Sequence, residues 1–369
     1  MENLQEIPAP LLEWYDRHAR ILPWREQPTP YRVWVSEIML QQTRVEAVKP
    51  YFERFIGELP TIRDLAEAPE DRLLKLWEGL GYYNRVRNMQ KAARQLVNGY
   101  GGEMPQDFDA ILALPGIGSY TAGAIASIAF GMRRPAVDGN VLRVLSRLEK
   151  SYDDILKQSV RRRFEKELLQ VIPEERAGDF NQSLIELGAI VCVPNGAPKC
   201  PECPLQEVCR AHADGVELEL PKKTPPKKRK MEDRTVLVLV SDNKAGLHKR
   251  PEKGLLAGLY ELPNLPGRLN REEVLEFVKK QDLSPLRIQE LPAAKHIFSH
   301  IEWHMTGYVV KVEEPPAFWE NGGTEPEEQD IRKASAREGI FFVEKEQMEE
   351  KFSIPAAFGA YTQYFKERY

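Results

Sequence analysis

The sequence predicts a multidomain protein whose first domain is nearly all helix and whose second domain mixes α and β structure. The chain has 369 residues, of which 42% are hydrophobic, and this is more than one typical core holds. Apolar residues in the first part recur at three- and four-residue spacing, as at Leu73, Leu76 and Leu80, which is typical of amphipathic helices. Farther along, β-branched runs at 235–240 and 305–312 predict strands.

A basic, proline-rich segment separates the two parts. Residues 221–233 read PKKTPPKKRKMED, with six lysines or arginines and no apolar face to pack. The KKRK run fits either a nuclear-import signal or a solvated linker that passes close to DNA phosphates. Charge patterning favours the linker. We therefore expect a helical domain at 1–220, a linker, and a second domain at 234–369 with helices at 271–280 and 355–365.

The overall charge does not by itself indicate a nucleic-acid partner. Lysine and arginine number 52 against 56 acidic residues, for a net charge of -4, so a DNA-binding surface must come from local clustering. The first residues show neither a secretory nor a transit pattern, and no apolar run reaches membrane-spanning length. We expect a cytoplasmic, nucleoid-associated protein of bacterial type that is monomeric and has no membrane partner.

The segment LALPGIGSYT lies between two stretches with helical spacing, and together they predict a helix-hairpin-helix at about 108–130. Glycines such as Gly116 and Gly118 let the backbone approach a phosphate closely. The amides that begin the second helix favour an anion. A plain interhelical turn is the alternative, but the hairpin is better explained as a contact with the DNA backbone.

Two acidic residues lie in patterns suited to acid–base chemistry. Glu37 shares a helical stripe with Val33 and Ile38, so its side chain should be desolvated, and desolvation raises the pKa of a carboxyl. A carboxylic acid still protonated near neutral pH can act as a general acid. Asp138 precedes a periodic helix, with Asn140 close behind. It is either an N-cap alone or an anion that takes part in chemistry.

Cleavage of a glycosidic bond requires two carboxyls in different environments. One protonates the leaving group, while the other, ionised, stabilises the positive charge that builds on the sugar. Glu37 is the predicted acid and Asp138 the predicted anion.

Several motifs together resemble those of the adenine DNA glycosylases, a branch of the helix-hairpin-helix superfamily that also contains endonuclease III. They are LPWR at 22–25, SEIMLQQT at 36–43, GLGYYNR at 79–85, LPGIGSYTA at 114–122, VDGNV at 137–141 and a cluster of four cysteines. The resemblance covers nearly the whole chain. It implies an all-α helix-hairpin-helix glycosylase domain with an iron-sulfur cluster loop, followed by an α+β Nudix-like domain. The implied partner is double-stranded DNA in which adenine faces 8-oxoguanine or guanine, and the implied reaction is base excision by hydrolysis of that adenine's N-glycosidic bond.

The resemblance also assigns roles to individual residues. It implies that Glu37 donates a proton to a purine ring nitrogen and that Asp138 supports the oxocarbenium-like sugar. Tyr120 and Asn140 should line the reacting sugar and orient these groups. The residues similar to an adenine pocket are Trp24, Arg25, Leu40 and Gln182.

Gln41, Gln42 and Tyr82 resemble residues that enter the base stack. Gln42 would fill space near the vacated position, and Tyr82 would wedge beside the lesion, which offsets the cost of unstacking. Ordinary interhelical packing is the alternative for Tyr82 and Tyr83, although the glycines around them favour a loop.

Tyr120 distinguishes a monofunctional glycosylase, which removes the base without cutting the strand, from the nearest enzymatic alternative. That alternative is an endonuclease III-like enzyme that removes damaged pyrimidines. That branch carries lysine at the corresponding hairpin position, and a lyase needs an amine to form a Schiff base. A phenol cannot form one, so we expect an intact strand with an abasic site. A non-catalytic DNA-scanning protein is a further alternative, and the presence of both Glu37 and Asp138 argues against it.

Cys192, Cys200, Cys203 and Cys209 form a C-x7-C-x2-C-x5-C pattern. They lie too close together in the sequence to cross-link a whole secreted chain by disulfide bonds, and they indicate one metal site. Spacing alone allows zinc or an iron-sulfur cluster. The resemblance implies a structural 4Fe-4S cluster that holds Lys199 and Arg210 near DNA phosphate, although the family's first gap is usually one residue shorter.

The same hairpin in other proteins holds a mono- or divalent cation through backbone carbonyls. By this resemblance, the carbonyls of Leu112, Leu114 and Ile117 would face a cation that bridges to phosphate.

In the second domain, GLLAGLYELP at 254–263 resembles the Nudix fold. The acidic box that Nudix hydrolases use to hold metal does not follow in its usual form, so we expect this domain to bind without hydrolysing. Phe298, Ser299 and His300 resemble the short loop by which the family senses 8-oxoguanine, and an ordinary polar turn is the alternative.

Overall fold

The computed structural model describes residues 2–313 and 339–369, which form two compact units. One unit contains Met1–Ala68 and Asn84–Pro225, and the other contains Pro69–Tyr83 and Pro226–Tyr369. A short segment from within the predicted helical domain therefore packs in the second unit. Within the described residues, no helix has both the length and the apolar character needed to cross a bilayer.

The predicted helical domain at 1–220 consists of helices and their connecting loops, as expected. Its α-helices are α1 (Glu2–Gln5), α2 (Pro8–His18), α3 (Pro23–Glu26), α4 (Pro30–Leu40), α5 (Val45–Glu58), α6 (Ile62–Glu67), α7 (Glu70–Leu76), α8 (Asn84–Tyr100), α9 (Phe108–Leu112), α10 (Ser119–Ala124), α11 (Gly139–Leu148), α12 (Gln158–Val171), α13 (Ala177–Ile190) and α14 (Arg210–Ala213). Several begin at a side-chain cap, such as Thr61, which forms a capping box with Asp64 at the start of α6. Their apolar stripes pack together. One core joins α2, α11, α12 and α13 through Leu11, Val144, Phe164 and Leu184.

The predicted helix-hairpin-helix is confirmed, with one local difference. Helix α9 and helix α10 flank the LPGIG turn, in which Gly116 has a φ of 78°. A Cβ at Gly116 would lie 2.7 Å from the Cβ of Asn88, so this position requires glycine. The second helix, expected to run regularly to residue 130, changes to a π-helical turn at Ile125–Ala129.

The end of the predicted first domain remains attached to the helical unit beyond residue 220. Leu220 is buried, and the Ile155 amide donates to the Lys222 carbonyl over 3.1 Å. The hydroxyl of Thr224 donates to Asp154. These contacts place 221–225 in the first unit, so this part of the predicted linker has its own partners.

The second unit contains a mixed sheet, which agrees with the predicted α+β class. Its strands are β1 (Lys230–Ser241), β2 (Lys244–Lys249), β3 (Tyr260–Glu261), β4 (Asn264–Pro266), β5 (Pro285–Ile297), β6 (Ile301–Val312) and β7 (Phe341–Glu344). The order is β3-β2-β1-β6-β5, with β4 paired to β1 and β7 to β2. Strands β1 and β6 are parallel, and the other pairs are antiparallel. Strand β1 begins inside the predicted linker, at Lys230.

Both faces of this sheet are covered by packed side chains. Strand β1 contributes to both faces, because its successive side chains point in opposite directions. Val236 and Val238 belong to a core with Tyr361, which lies on helix α17 (Gly359–Arg368) and follows helix α16 (Lys345–Glu350). Leu237 and Leu239 belong to a core with α15 (Arg271–Lys280). The predicted helix at 271–280 is therefore confirmed, whereas the one at 355–365 is divided between a 3-10 turn at Ala356–Phe358 and α17.

The segment Pro69–Tyr83 joins the second unit through helix α7 and the turn after it. The carbonyl of Leu74 accepts from the Ser353 hydroxyl over 3.2 Å. Glu78 accepts from the amide of Ile354 over 2.7 Å, and Lys75 donates to the Phe352 carbonyl over 3.0 Å. Sequence periodicity predicts this helix but not the part of the chain on which it packs.

Candidate active site

Glu37 lies on helix α4 and is buried, with 7% of the residue exposed. Thr29 is the N-cap of this helix, and its hydroxyl accepts from the Arg32 amide, while Pro30 occupies the first helical position. Burial raises the pKa of Glu37 from 4.5 to about 7, against a hydrogen bond from Tyr120 that lowers it. The predicted desolvation of this carboxyl is confirmed.

Tyr120 reaches Glu37 from the first turn of α10, directly after the hairpin. Its phenol donates to Glu37 Oε2. Burial and the nearby carboxylates raise the pKa of Tyr120 far above its ordinary value, so the phenol keeps its hydrogen. Tyr120 therefore only donates to this carboxyl oxygen, and the other oxygen of Glu37 is available for a reacting group.

Asp138 is the N-cap of helix α11, and its Oδ1 accepts from the Val141 amide over 2.8 Å. Its other oxygen accepts from Asn140 Nδ2 over 2.7 Å. Burial raises the pKa of Asp138, and these hydrogen bonds act in the opposite direction. Asp138 also raises the pKa of Glu37 through its charge. Asp138 thus both caps helix α11 and acts electrostatically on Glu37.

One cavity brings the acid together with the predicted base-binding residues. Glu37 and Tyr120 line it beside Trp24, Arg25, Leu40 and Gln182. Its other lining residues are Arg20, Leu22, Val33, Ser36, Val45, Ile128 and Ile185. The structure therefore places the four predicted pocket residues around the Glu37 carboxyl, in a cleft with apolar walls and a few polar groups, as is typical of small-ligand sites.

Arg25 is held by a carboxylate that the sequence analysis did not identify. Glu186, whose side chain is fully buried, accepts from Arg25 over 2.9 Å and from Arg20 Nε over 2.6 Å. Arg25 also lies 5.7 Å from the centre of the Tyr15 ring. These contacts fix the guanidinium at the pocket wall. Glu186 lies four residues after Gln182 on α13, and this helical spacing from a pocket residue was the signal available in the sequence.

Gln41 and Gln42 form the turn at the end of α4. Gln42 is exposed with a φ of 61°, and Gln41 is half-buried with its amide 3.5 Å from the Thr121 hydroxyl. Arg85 was not predicted as part of the site, yet its Nη1 donates to the carbonyls of Ile38, Met39 and Gln41 over 2.8, 3.1 and 2.6 Å. It satisfies carbonyls that the end of a helix leaves without partners.

Asn181 is a second buried residue that the sequence analysis missed. Its side chain accepts from the Ala136 amide over 2.9 Å and donates to the Ser127 hydroxyl and the Arg134 carbonyl, each over 2.8 Å. It therefore ties the π-helical turn to the irregular segment that leads into Asp138.

Two predicted contact groups lie in the second unit. Tyr82 is 48% exposed with a φ of 50°, whereas Tyr83 is buried, so core packing applies to Tyr83. Ser299 and His300 are exposed in the turn between β5 and β6, with Ser299 Oγ 3.1 Å from His300 Nδ1. Phe298 is half-buried and packs edge-on against Trp303, with ring centres 4.9 Å apart.

The four cysteines line a single cavity, as the spacing predicted. They surround it together with apolar residues that include Leu148, Leu187 and Leu205. Burial raises the pKa of the Cys200 thiol to about 11 and that of Cys203 to about 12, so these two side chains form thiolates only beside a cation. The donor set and the apolar wall fit a metal ion or cluster with four sulfur ligands.

The long gap between the first two cysteines forms a closed loop. The Lys199 amide donates to the Val191 carbonyl over 3.0 Å, and Gly196 has a φ of 76°. At the hairpin, the Leu114 carbonyl accepts from the Ile117 amide over 3.1 Å. The predicted cation contact of Leu112, Leu114 and Ile117 stays a prediction.

Comparisons with known proteins agree with this geometry. A model of HhH-GPD superfamily base excision DNA repair proteins matches residues 35–170, and a NUDIX domain model matches residues 235–363. A solved thermostable thymine-DNA glycosylase has a TM-score of 0.52 and 28% identity, covering 58% of this chain and 98% of its own.

Curated relatives extend the similarity to both parts of the chain. The adenine DNA glycosylase of Mus musculus is 36% identical, with 83% of this chain and 71% of the mouse protein covered. The adenine DNA glycosylase of Arabidopsis thaliana is 37% identical over 80% of this chain, which spans 56% of the plant protein. These relatives favour the predicted family over the endonuclease III alternative, and the chain belongs to the adenine DNA glycosylase family of base excision repair proteins.

Proposed function

We propose that this protein hydrolyses the N-glycosidic bond of adenine that faces 8-oxoguanine or guanine in double-stranded DNA, and leaves the strand intact. The observation that carries the proposal is the buried Glu37 carboxyl, with a pKa of about 7, inside a cavity lined by Trp24, Arg25, Leu40 and Gln182. A carboxyl with this pKa is partly protonated at neutral pH, as a general acid must be.

Glu37 supplies the proton to the leaving base. Tyr120 donates to Oε2, so the acidic hydrogen lies on Oε1, toward a ring nitrogen of the bound purine. Trp24 and Leu40 give the base apolar contacts, and Gln182 and Arg25 offer polar groups to its edge. Protonation weakens the bond to the sugar because the base then leaves as a neutral molecule.

Asp138 stabilises the sugar as the bond breaks. Positive charge develops on the sugar in an oxocarbenium-like transition state, and an ionised carboxylate beside it lowers the barrier. The hydrogen bonds from Val141 N and Asn140 Nδ2 favour the ionised form of Asp138 and hold its position. Because the same contacts exist before the substrate binds, the charge needs no reorientation during the reaction.

The lining of the cavity supports hydrolysis rather than strand cleavage. The described residues around Glu37 include arginines and the Tyr120 phenol but no lysine, and a Schiff base requires an amine. A water molecule is then the group that replaces the base on the sugar.

DNA contacts are proposed for three regions. The hairpin turn with Gly116 and Gly118 meets the phosphate backbone, since open space surrounds the Gly118 Cα where a Cβ would be. Gln41, Gln42 and Tyr82 enter the base stack, and the exposed Ser299 and His300 read the edge of 8-oxoguanine. Because Phe298 packs on Trp303, we assign it to support of this turn. We expect a monomer that works at the nucleoid.

A 4Fe-4S cluster held by Cys192, Cys200, Cys203 and Cys209 is the proposed cofactor. Hydrolysis involves no change of oxidation state, so when bound the cluster supplies cross-links that shape the loop. That loop carries Lys199 and Arg210 on the surface beside the cysteines, where they suit contact with DNA phosphate.

The reaction is tested with end-labelled duplexes that contain adenine opposite 8-oxoguanine, adenine opposite guanine, or an oxidised pyrimidine. We expect adenine release from the first two, with strand breaks only after hot alkali. Strand breaks without alkali, or removal of the pyrimidine alone, would contradict the proposal.

Lesion reading is tested by replacing Ser299 and His300 together with alanine. The expected result is a loss of preference for 8-oxoguanine over guanine of about 1–3 kcal/mol, the value of one or two base-edge contacts. The measurement is the ratio of single-turnover rates on the two duplexes. Ser284→Ala, an exposed serine on another loop of the same unit, is the matched control, and an unchanged ratio in the double variant would assign lesion reading elsewhere.

A further inference from the structure

A carboxylate lies beside one of the four cysteines and has no part in the function proposed above. Glu217 Oε1 is 3.7 Å from the Sγ of Cys200. Cys200, His212 and Glu217 place their ligand atoms within 4.8 Å of one another, and all three residues line the cysteine cavity. A charged group this close to a ligand sulfur acts on whatever the cysteines hold.

A chain of hydrogen bonds fixes the direction of this carboxylate. Gln206 Nε2 donates to His212 Nε2 over 2.9 Å, so the ring hydrogen lies on Nδ1. His212 Nδ1 then donates to Glu217 Oε1 over 2.5 Å. This hydrogen bond keeps the same oxygen turned toward Cys200.

The corner of the cavity at Cys192 has the opposite polarity. Arg147 Nη1 donates to the Sγ of Cys192 over 3.1 Å, and a guanidinium remains charged in proteins. Hydrogen-bond donors at the sulfurs and the net charge nearby both set the reduction potential of an iron-sulfur cluster. The cavity therefore places a cationic donor at Cys192 and an anion at Cys200.

We propose that Glu217, oriented by His212 and Gln206, lowers the reduction potential of the cluster by acting on the Cys200 sulfur. This rests on the 4Fe-4S cofactor proposed above. Reduction adds an electron to the cluster, and a fixed negative charge close to a ligand sulfur opposes that addition. Removing the charge while keeping the side chain in place therefore makes reduction easier.

The experiment compares the iron-loaded wild-type protein with three variants. Glu217→Gln removes the charge at nearly constant shape, and Glu217→Asp keeps the charge but draws it one methylene away from Cys200. Glu219→Gln is the matched control, because Glu219 is exposed and lies in the same 3-10 turn, where it accepts from the Tyr152 hydroxyl. The readout is the reduction potential from protein-film voltammetry, with the iron-to-protein ratio as the check of loading.

We expect Glu217→Gln to raise the potential by several times the shift of Glu219→Gln, and Glu217→Asp to give a shift between them. A shift in Glu217→Gln no larger than in the control would overturn the proposal while leaving the cofactor in place. An equal shift in Glu217→Asp and Glu217→Gln would also overturn it, since charge would not be the cause. A colourless protein with stoichiometric zinc would overturn the cofactor and this proposal together.

Discussion

Replacing Glu37 by glutamine should make the helical unit more stable at alkaline pH while abolishing most of its activity. The pKa of Glu37 is raised from 4.5 to about 7 by burial. The unfolded chain therefore releases this proton at lower pH than the native protein does. The stabilising effect of the proton is fully present below about pH 4.5 and is lost as pH rises through about 7.

The size of this effect follows from the difference between the two pKa values. One pKa unit corresponds to about 1.4 kcal/mol, so a rise from 4.5 to about 7 costs the wild-type native state about 3 kcal/mol once Glu37 is fully ionised. Glutamine has no charge to bury at any pH. The variant should therefore gain stability relative to the wild type by most of this amount between about pH 5 and pH 8.5.

The assay is urea unfolding followed by far-ultraviolet circular dichroism at the two pH values, because the first unit contributes most of the helix. Glu46→Gln, at an exposed carboxylate on α5, serves as the control for a Glu-to-Gln change in general. Single-turnover excision by Glu37→Gln should be lower by at least about a hundredfold. If the stability difference between variant and wild type is the same at both pH values, Glu37 does not titrate near 7 and the reasoning fails.

Three further predictions follow from the contacts of the first unit. Asp138→Asn should reduce excision by at least about a hundredfold but change the free energy of unfolding by less than about 1 kcal/mol, because asparagine caps a helix about as well; matching losses in both measurements would mean that Asp138 is only a cap. Arg85→Met should reduce the excision rate and also the 2-aminopurine fluorescence that reports base flipping. Arg85→Lys should restore both, since Arg85 makes all three carbonyl bonds through one nitrogen, Nη1. Failure of lysine to restore them would contradict the capping role. The purified protein should be yellow-brown and contain iron, and Cys203→Ser should lower its soluble yield; stoichiometric zinc in a colourless, active protein would refute the cluster.

The sequence predicted features that depend on local pattern. Helical spacing around Glu37 predicted its burial, and glycines between two helical stretches predicted the hairpin. Clustering of the cysteines predicted one site, because residues so close in sequence can meet whatever the rest of the fold does. The composition of the proposed adenine pocket came from family resemblance and not from spacing.

The missed residues depend on partners far along the chain. Arg85 contacts carbonyls more than forty positions earlier, and Glu186 contacts Arg20 over a separation of 166 residues. From the sequence, an arginine or glutamate in a helix is expected to be a solvated charge, because its tertiary partner is not visible there. The π-helical turn at Ile125–Ala129 was missed for a related reason, since its residues have the same apolar character as a regular helix.

The attachment of Pro69–Tyr83 to the second unit has a consequence for how the protein is made. Lys75 bonds the carbonyl of Phe352, which is synthesised 277 residues later. At ribosomal rates of about 5–20 residues per second, the segment waits about 15–55 s for that partner. Buried side chains such as Leu73 and Leu74 must be sheltered by other means during that interval. Completion of this region therefore waits until Phe352 has been synthesised, whereas helices whose partners come earlier in the chain can pack before then.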